Sequence, residues 1–213
     1  MGDSVDELSV EQLLDAVGAR TTAPGGGQVV GVVTALAGAL AGMCARFADG
    51  GQPGIPGGPD LATRADELRA TALSLAQSDP EVYATYVQAR RAGTAADMAE
   101  ALDEAIRIPL EVAEVAAGLA EVALGLARSG NPNLRGDATA AVLLSAAAAR
   151  AGAVLVCENL AGTESDPRRA RAAAIVASAT AAERDVLSLY PALTAPEAKD
   201  VPRGERDSRG KRD

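Results

Sequence analysis

Histidine is missing from all 213 positions. That excludes His-based catalytic triads, histidine metal sites and a histidine general base. Lysine occurs only at Lys199 and Lys211, both in a polar carboxyl-terminal stretch. A Schiff-base or phosphate-loop lysine inside a folded domain is therefore excluded, and acid–base work falls to Asp, Glu, Tyr, Cys or Arg. Aromatics make up 2% of the chain, with no Trp and one Phe. A core of 48% hydrophobic residues must then be built from Ala, Leu and Val, which calls for close helix–helix contacts. The two cysteines, Cys44 and Cys157, each stand in an apolar run. Two buried thiols and no disulfide are expected, as in a reducing cytoplasm. The acidic amino terminus has no apolar stretch and does not read as a secretory signal. A net charge of -9 argues against nucleic acid or an anionic membrane as partner.

The rest of the sequence reads as helix. Ser9 and Gln12 have the spacing of a capping box and open a short helix to Gly18. A loop with three consecutive glycines, Gly25, Gly26 and Gly27, leads into an almost uncharged run over 28–48 with Gly31, Gly38 and Gly42. Its 17 charge-free residues over 29–45 lie at the short edge for a membrane span. No second candidate and no aromatic belt accompany it, so it reads as a central buried helix and no membrane is expected. A Gly- and Pro-rich loop over 49–59 follows. Helices are expected over 60–77 and 79–93, the second opened by Asp79 and Pro80 as cap and first residue. A long helix over 94–127 is interrupted at Pro109, a tight turn surrounds Pro132, and Asp137 opens an Ala-rich helix to 160. A last helix starts at Asp166-Pro167. The expected fold is one all-α domain over 8–193, a bundle of about seven helices around a long Gly/Ala-rich helix, followed by a disordered charged tail over 194–213.

Several polar residues have two readings each. The segment Pro24-Gly25-Gly26-Gly27 leads into a helix with the bare backbone N–H groups of its glycines, which can hold an anion, or simply allow close packing. Asp79 is an ordinary helix cap, or a base if that helix end faces a cleft. Asn131, Asn133 and Asp137 are turn and cap residues, or polar groups of a site. Glu158 and Asn159 sit in an apolar stretch. If buried, both need partners, and the carboxyl of Glu158 would be a general acid of raised pKa; otherwise Glu158 lies on a solvated stripe. Cys44 and Cys157 read as core thiols, because no histidine activates them. No spacing of metal ligands is visible.

In order along the chain stand Ala23-Pro24-Gly25-Gly26-Gly27 before an uncharged helix, Asp79-Pro80 with Tyr83, Ile108-Pro109-Leu110 inside a helix, Asn131-Pro132-Asn133 followed by Asp137, and Val156 with Asn159-Leu160. Over about residues 8–190 this set resembles the cyclodeaminase/cyclohydrolase family of folate enzymes. The resemblance implies an all-helical homodimer with a tetrahydrofolate cleft near the dimer contact, and a tetrahydrofolate derivative as substrate with no tightly bound cofactor. It implies either hydrolysis of 5,10-methenyltetrahydrofolate to 10-formyltetrahydrofolate or cyclisation of 5-formiminotetrahydrofolate with loss of ammonia. Carried over position by position, Asp137, Asp79 and Glu158 are the acid–base candidates. Pro24, Gly25, Gly26, Gly27, Gln28, Tyr83, Asn131, Asn133 and Asn159 are the substrate-binding candidates. The sequence departs from the family's usual residues at Gln28, at Gly136, at Leu155-Val156 and over 88–91, where no lysine stands. Those departures leave open a relative that keeps the bundle while acting on another cyclic amidine or imine, or while only binding, as a structural helical dimer.

Overall fold

The computed structural model describes residues 5, 7–48, 58–163 and 165–194, and every regular element among them is helical. In chain order these are α1 (Val10–Gly18), α2 (Gly26–Ala48), α3 (Gly58–Ala92), α4 (Ala95–Ser129), a 3-10 turn (Pro132–Leu134), α5 (Arg135–Asn159), α6 (Pro167–Leu187) and α7 (Pro191–Thr194). The expected all-α bundle is the observed fold. Most of the loop over 49–59 and the tail from 195 onward lie outside the described residues.

The helix starts are set locally. Ser9 and Gln12 form the capping box of α1, Thr94 and Asp97 form that of α4, and Asp166 caps α6 ahead of Pro167. Each satisfies N–H groups that the first turn leaves unpaired. Two expected boundaries are not there. The helices read over 60–77 and 79–93 are one helix, α3, which runs through Asp79 with Pro80 inside it. Asp137 does not cap α5 either: that helix starts at Arg135, its N-cap is Leu134 with no side-chain bond, and Asp137 sits in the first turn. There its charge favours the positive end of the helix dipole.

Packing follows from the small residues. α4 lies at the centre, against α2, α3, α5 and α6. One core cluster joins Ala41, Cys44 and Ala45 of α2 to Leu68, Leu119, Val142 and Val186. A second gathers Ile106, Leu110, Ala149, Val156 and Ile175 between α4, α5 and α6. Glycines bring α2 onto its neighbours: a Cβ at Gly31 would lie 2.7 Å from that of Ala76, and one at Gly38 would lie 3.0 Å from that of Arg69. α6 is tied to the bundle at its rim by Arg150–Glu183, Arg171–Glu114 and Arg128–Asp185, half-exposed pairs that contribute little individually. α1 buries none of its residues. Cys157 is exposed and only Cys44 is buried, because position 157 falls on the outward face of α5.

Among the described residues two helical stretches are long and apolar enough to cross a membrane, Gly26–Ala48 and Pro132–Asn159, where the sequence alone pointed only to the first. The second owes its hydropathy to many alanines and a few valines and leucines. About 61% and 50% of their most apolar windows are buried in the bundle, as in core helices.

Close packing at Gly31 leads to a paired expectation. Gly31→Ala should lower the unfolding free energy by roughly 1–3 kcal/mol through overpacking. Gly125→Ala, where a Cβ meets nothing within 4 Å, should raise it by about 0.5–1 kcal/mol through helix propensity. Urea unfolding of the two variants gives both signs; equal effects would contradict the close crossing of α2 and α3.

Candidate functional site

The start of α2 is built around a carboxylate from another helix. Gly26 and Gly27 form its first turn, so their N–H groups and that of Gln28 have no partner within the helix. The carboxylate of Asp79, from the middle of α3, accepts the Gln28 N–H. Asp79 therefore caps a helix, but the helix is α2 and not its own. Only glycine permits this approach: a Cβ at Gly27 would lie 2.7 Å from Asp79 Cγ. The anion that the glycine loop was expected to hold is, at this position, a side chain of the same protein. Burial pushes the Asp79 carboxyl above its ordinary value of 3.8, while the Gln28 N–H pulls the other way.

A cleft of about 260 Å³ opens beside this carboxylate. Gly25, Gly26 and Gly27 form one wall, Tyr83 and Tyr86 another, and Ala105, Pro109, Leu155 and Asn159 the side facing α4 and α5. Asp79, Tyr83 and Tyr86 stand at i, i+4 and i+7 on α3, one face of a continuous helix. Asn159 is fixed by a defect in α4. Pro109 has no N–H, so the carbonyl of Ala105 loses its helical partner. Asn159 Nδ2 donates to that carbonyl at 2.7 Å, which commits its nitrogen and orients the amide in the cleft wall. α4 and α5 come close here as well, since a Cβ at Gly152 would lie 3.0 Å from the Pro109 carbonyl oxygen.

The remaining candidates lie elsewhere. Pro24 stands between the lining residues Ala23 and Gly25 without lining the cleft itself. The side chain of Gln28 is buried with its amide oxygen unpartnered among the described residues; it does not line the cleft, and only its backbone N–H takes part. Glu158 is exposed on the solvated face of α5 and does not line the cleft. Asn131 accepts the Asn133 N–H at 3.0 Å and donates to the Phe47 carbonyl at 3.4 Å, which ties the turn before α5 to the far end of α2. Asn133 is exposed at that turn. Asp137 is close enough to Cys44 for its charge to add to burial in pushing that thiol up, which keeps Cys44 protonated and unreactive. Gln28 and Cys44 are separated by about 24 Å of helix at 1.5 Å per residue. The candidates thus fall into two groups at opposite ends of α2: Asp79, Tyr83, Asn159 and the glycines at one end, Asn131, Asn133 and Asp137 at the other.

The reading of the sequence missed Thr22, Tyr86, Leu155 and Pro109 as cleft residues. The signal for Tyr86 was its spacing from Asp79, which an expected helix start at Asp79 concealed. Among the described residues no group of three or more His, Cys, Asp or Glu is placed to hold a metal ion.

Fold and cleft define the class: an all-α bundle with one half-buried carboxylate set in a tyrosine-walled cleft sized for part of a small molecule. The family model for formiminotransferase-cyclodeaminase matches residues 9–178, and the chain belongs to that family. A methenyltetrahydrofolate cyclohydrolase of Methylorubrum extorquens is 27% identical over 168 residues, which cover 73% of this chain and 81% of that protein. The crystal structure of a formiminotetrahydrofolate cyclodeaminase from Thermotoga maritima matches with a TM-score of 0.80 at 28% identity, over 89% of this chain and 99% of that one.

The link between Pro109 and Asn159 can be measured by a double-mutant cycle. Asn159→Ala should cost about 1–2 kcal/mol of stability, because it leaves the Ala105 carbonyl unpaired. In a Pro109→Ala background the backbone N–H of position 109 takes over that carbonyl, and most of the cost should vanish. An equal cost in both backgrounds would separate the two residues.

Proposed function

We propose that this chain is a cytoplasmic enzyme of folate one-carbon metabolism that hydrolyses 5,10-methenyltetrahydrofolate to 10-formyltetrahydrofolate, as a homodimer. The observation that carries this reading is the Asp79 carboxylate, desolvated and anchored on the start of α2 at the floor of the cleft. The substrate is an amidinium cation, and a fixed anion in a partly dry site favours it. Asp79 takes a proton from water as the oxygen adds to the amidinium carbon, giving a tetrahedral carbon between two nitrogens. The C–N5 bond then breaks as the hydroxyl proton leaves and the carbonyl forms; N5 takes the proton held by Asp79, the formyl group stays on N10, and one proton is released to solvent. Tyr83 and Tyr86 flank the fused ring, and Asn159 offers its amide oxygen as an acceptor. Closure of 5-formiminotetrahydrofolate with release of ammonia passes through a similar tetrahedral carbon and suits the same groups. The names of the two relatives, a cyclohydrolase and a cyclodeaminase, support the pair of reactions.

The homodimer is supported by apolar side chains that the bundle leaves outside: Leu36 and Phe47 on α2, Leu144 and Val154 on α5, Val10 and Leu14 on α1. A two-fold contact presents the same patch from both copies. With its axis crossing the middle of α2, it lays the Asp137 end of one copy beside the Asp79 end of the other and reunites the two groups of candidates.

The test is methenyltetrahydrofolate consumption above spontaneous hydrolysis, with formiminotetrahydrofolate as second substrate. Asp79→Asn and Asp137→Asn should each lose about 10²–10⁴-fold in rate. Wild-type activity should fall with acidification through the raised Asp79 value, since the base is its deprotonated form. Co-expressing the two variants should recover up to about a quarter of the wild-type rate, because half the dimers are mixed and one of their two sites is intact. No wild-type turnover of either substrate, or an Asp79→Asn variant near full rate, would overturn the reading. No recovery on mixing would overturn the shared site.

A further inference from the structure

Asp79 of α3 and Leu155 of α5 meet the first turn of α2 on consecutive residues. A Cβ at Gly27 would lie 2.7 Å from Asp79 Cγ, and one at Gly26 would lie 3.7 Å from Leu155 Cδ2. Leu155 is half-buried and lines the cleft. The carboxylate thus has an isobutyl group as its neighbour across the two glycines. Ala105 and Pro109 continue the same wall. The polar side chain of that wall, Asn159, stands one turn further along α5, about 6 Å away at 1.5 Å per residue. Its nitrogen is already spent on the Ala105 carbonyl. Level with Asp79, α5 therefore turns an apolar side chain to the cleft.

The two one-carbon substrates differ at this place. In the methenyl cation the reacting carbon lies in a ring between N5 and N10, and neither nitrogen carries a hydrogen. In the protonated formimino group that carbon ends in an NH2 with two N–H bonds. One can donate to Asp79. The other, on the Leu155 side, loses its water and finds no acceptor, which is costly for a buried donor. The mismatch persists along the reaction. N10 attacks the formimino carbon, a proton moves from N10 to the terminal nitrogen, the C–N bond breaks and ammonia leaves. The nitrogen beside the isobutyl group is thus hydrogen-bearing at every stage. Hydrolysis places no such group there, because its water enters on the Asp79 side.

Resting on the folate reading above, we propose that Leu155 decides between the two reactions: its side chain, set beside Asp79 on the glycine turn, rejects the formimino nitrogen and makes the cleft selective for the methenyl cation. Specificity of this kind comes from an unpaired polar group in the wrong complex, with no added contact in the right one.

The experiment measures kcat/KM for methenyltetrahydrofolate consumption above spontaneous hydrolysis, and for ammonia release from 5-formiminotetrahydrofolate, on the same preparation of full-length protein. Their ratio is the preference, and partial unfolding, which lowers both rates alike, does not move it. Wild type should prefer the methenyl substrate by roughly ten- to a hundredfold. Leu155→Asn keeps the branched shape and adds an acceptor, and it should cut the preference about tenfold, chiefly through faster ammonia release. Leu155→Met, still apolar, should keep the wild-type preference. Comparable kcat/KM for both substrates in wild type, a preference unchanged in Leu155→Asn, or an equal drop in Leu155→Met overturns the role of Leu155 and leaves the folate reading standing. No turnover of either substrate by wild type overturns both.

Discussion

The contact between the Asp79 carboxylate and the first turn of α2 is the constraint on which the site depends. A helix start has unpaired N–H groups, a desolvated carboxylate needs donors, and each supplies the other's need. The contact has a strict steric condition, met by Gly27: with any side chain there, the carboxyl group of α3 could not come as close. It also has an electrostatic consequence. One N–H does not offset the loss of water, so the group stays easier to protonate than an ordinary aspartate.

A second compensation of the same kind completes the cleft. Pro109 breaks a backbone bond in α4, and Asn159 of α5 repairs it from the side. Neither interaction lies within one helix. Both hold a polar side chain at the junction of two helices whose backbones small residues have allowed to approach. The alanine and glycine content thus shapes the cleft: it lets α2, α3, α4 and α5 come near enough for side chains of one helix to serve the backbone of the next.

What was legible in the sequence was what is decided locally. The capping box at Ser9, the helix start at Thr94 and the Asp166-Pro167 start need only neighbouring residues, and they stand where the sequence placed them. Asp79-Pro80 carries the same local signal as Asp166-Pro167, and there it misleads, because the N–H that the Asp79 carboxylate accepts belongs to a helix some fifty residues earlier in the chain. Glu158 is another such case: an apolar neighbourhood in sequence does not say which face of a helix points outward. Cys157, one residue earlier, is misplaced for the same reason. The order of motifs was enough to place the chain in its family, yet it could not show that the motifs sit at two ends of the bundle. That separation arises from the length of α2.

The most direct measurement of the central claim is the titration of the Asp79 carboxyl itself, followed by carbon-13 NMR of aspartate-labelled protein. The signal assigned by its loss in Asp79→Asn should titrate above the ordinary 3.8, and it should move in Gly27→Ala, where the added methyl group pushes the carboxylate off the start of α2. An Asp79 that titrates like a solvated aspartate, indifferent to Gly27→Ala, would contradict the account.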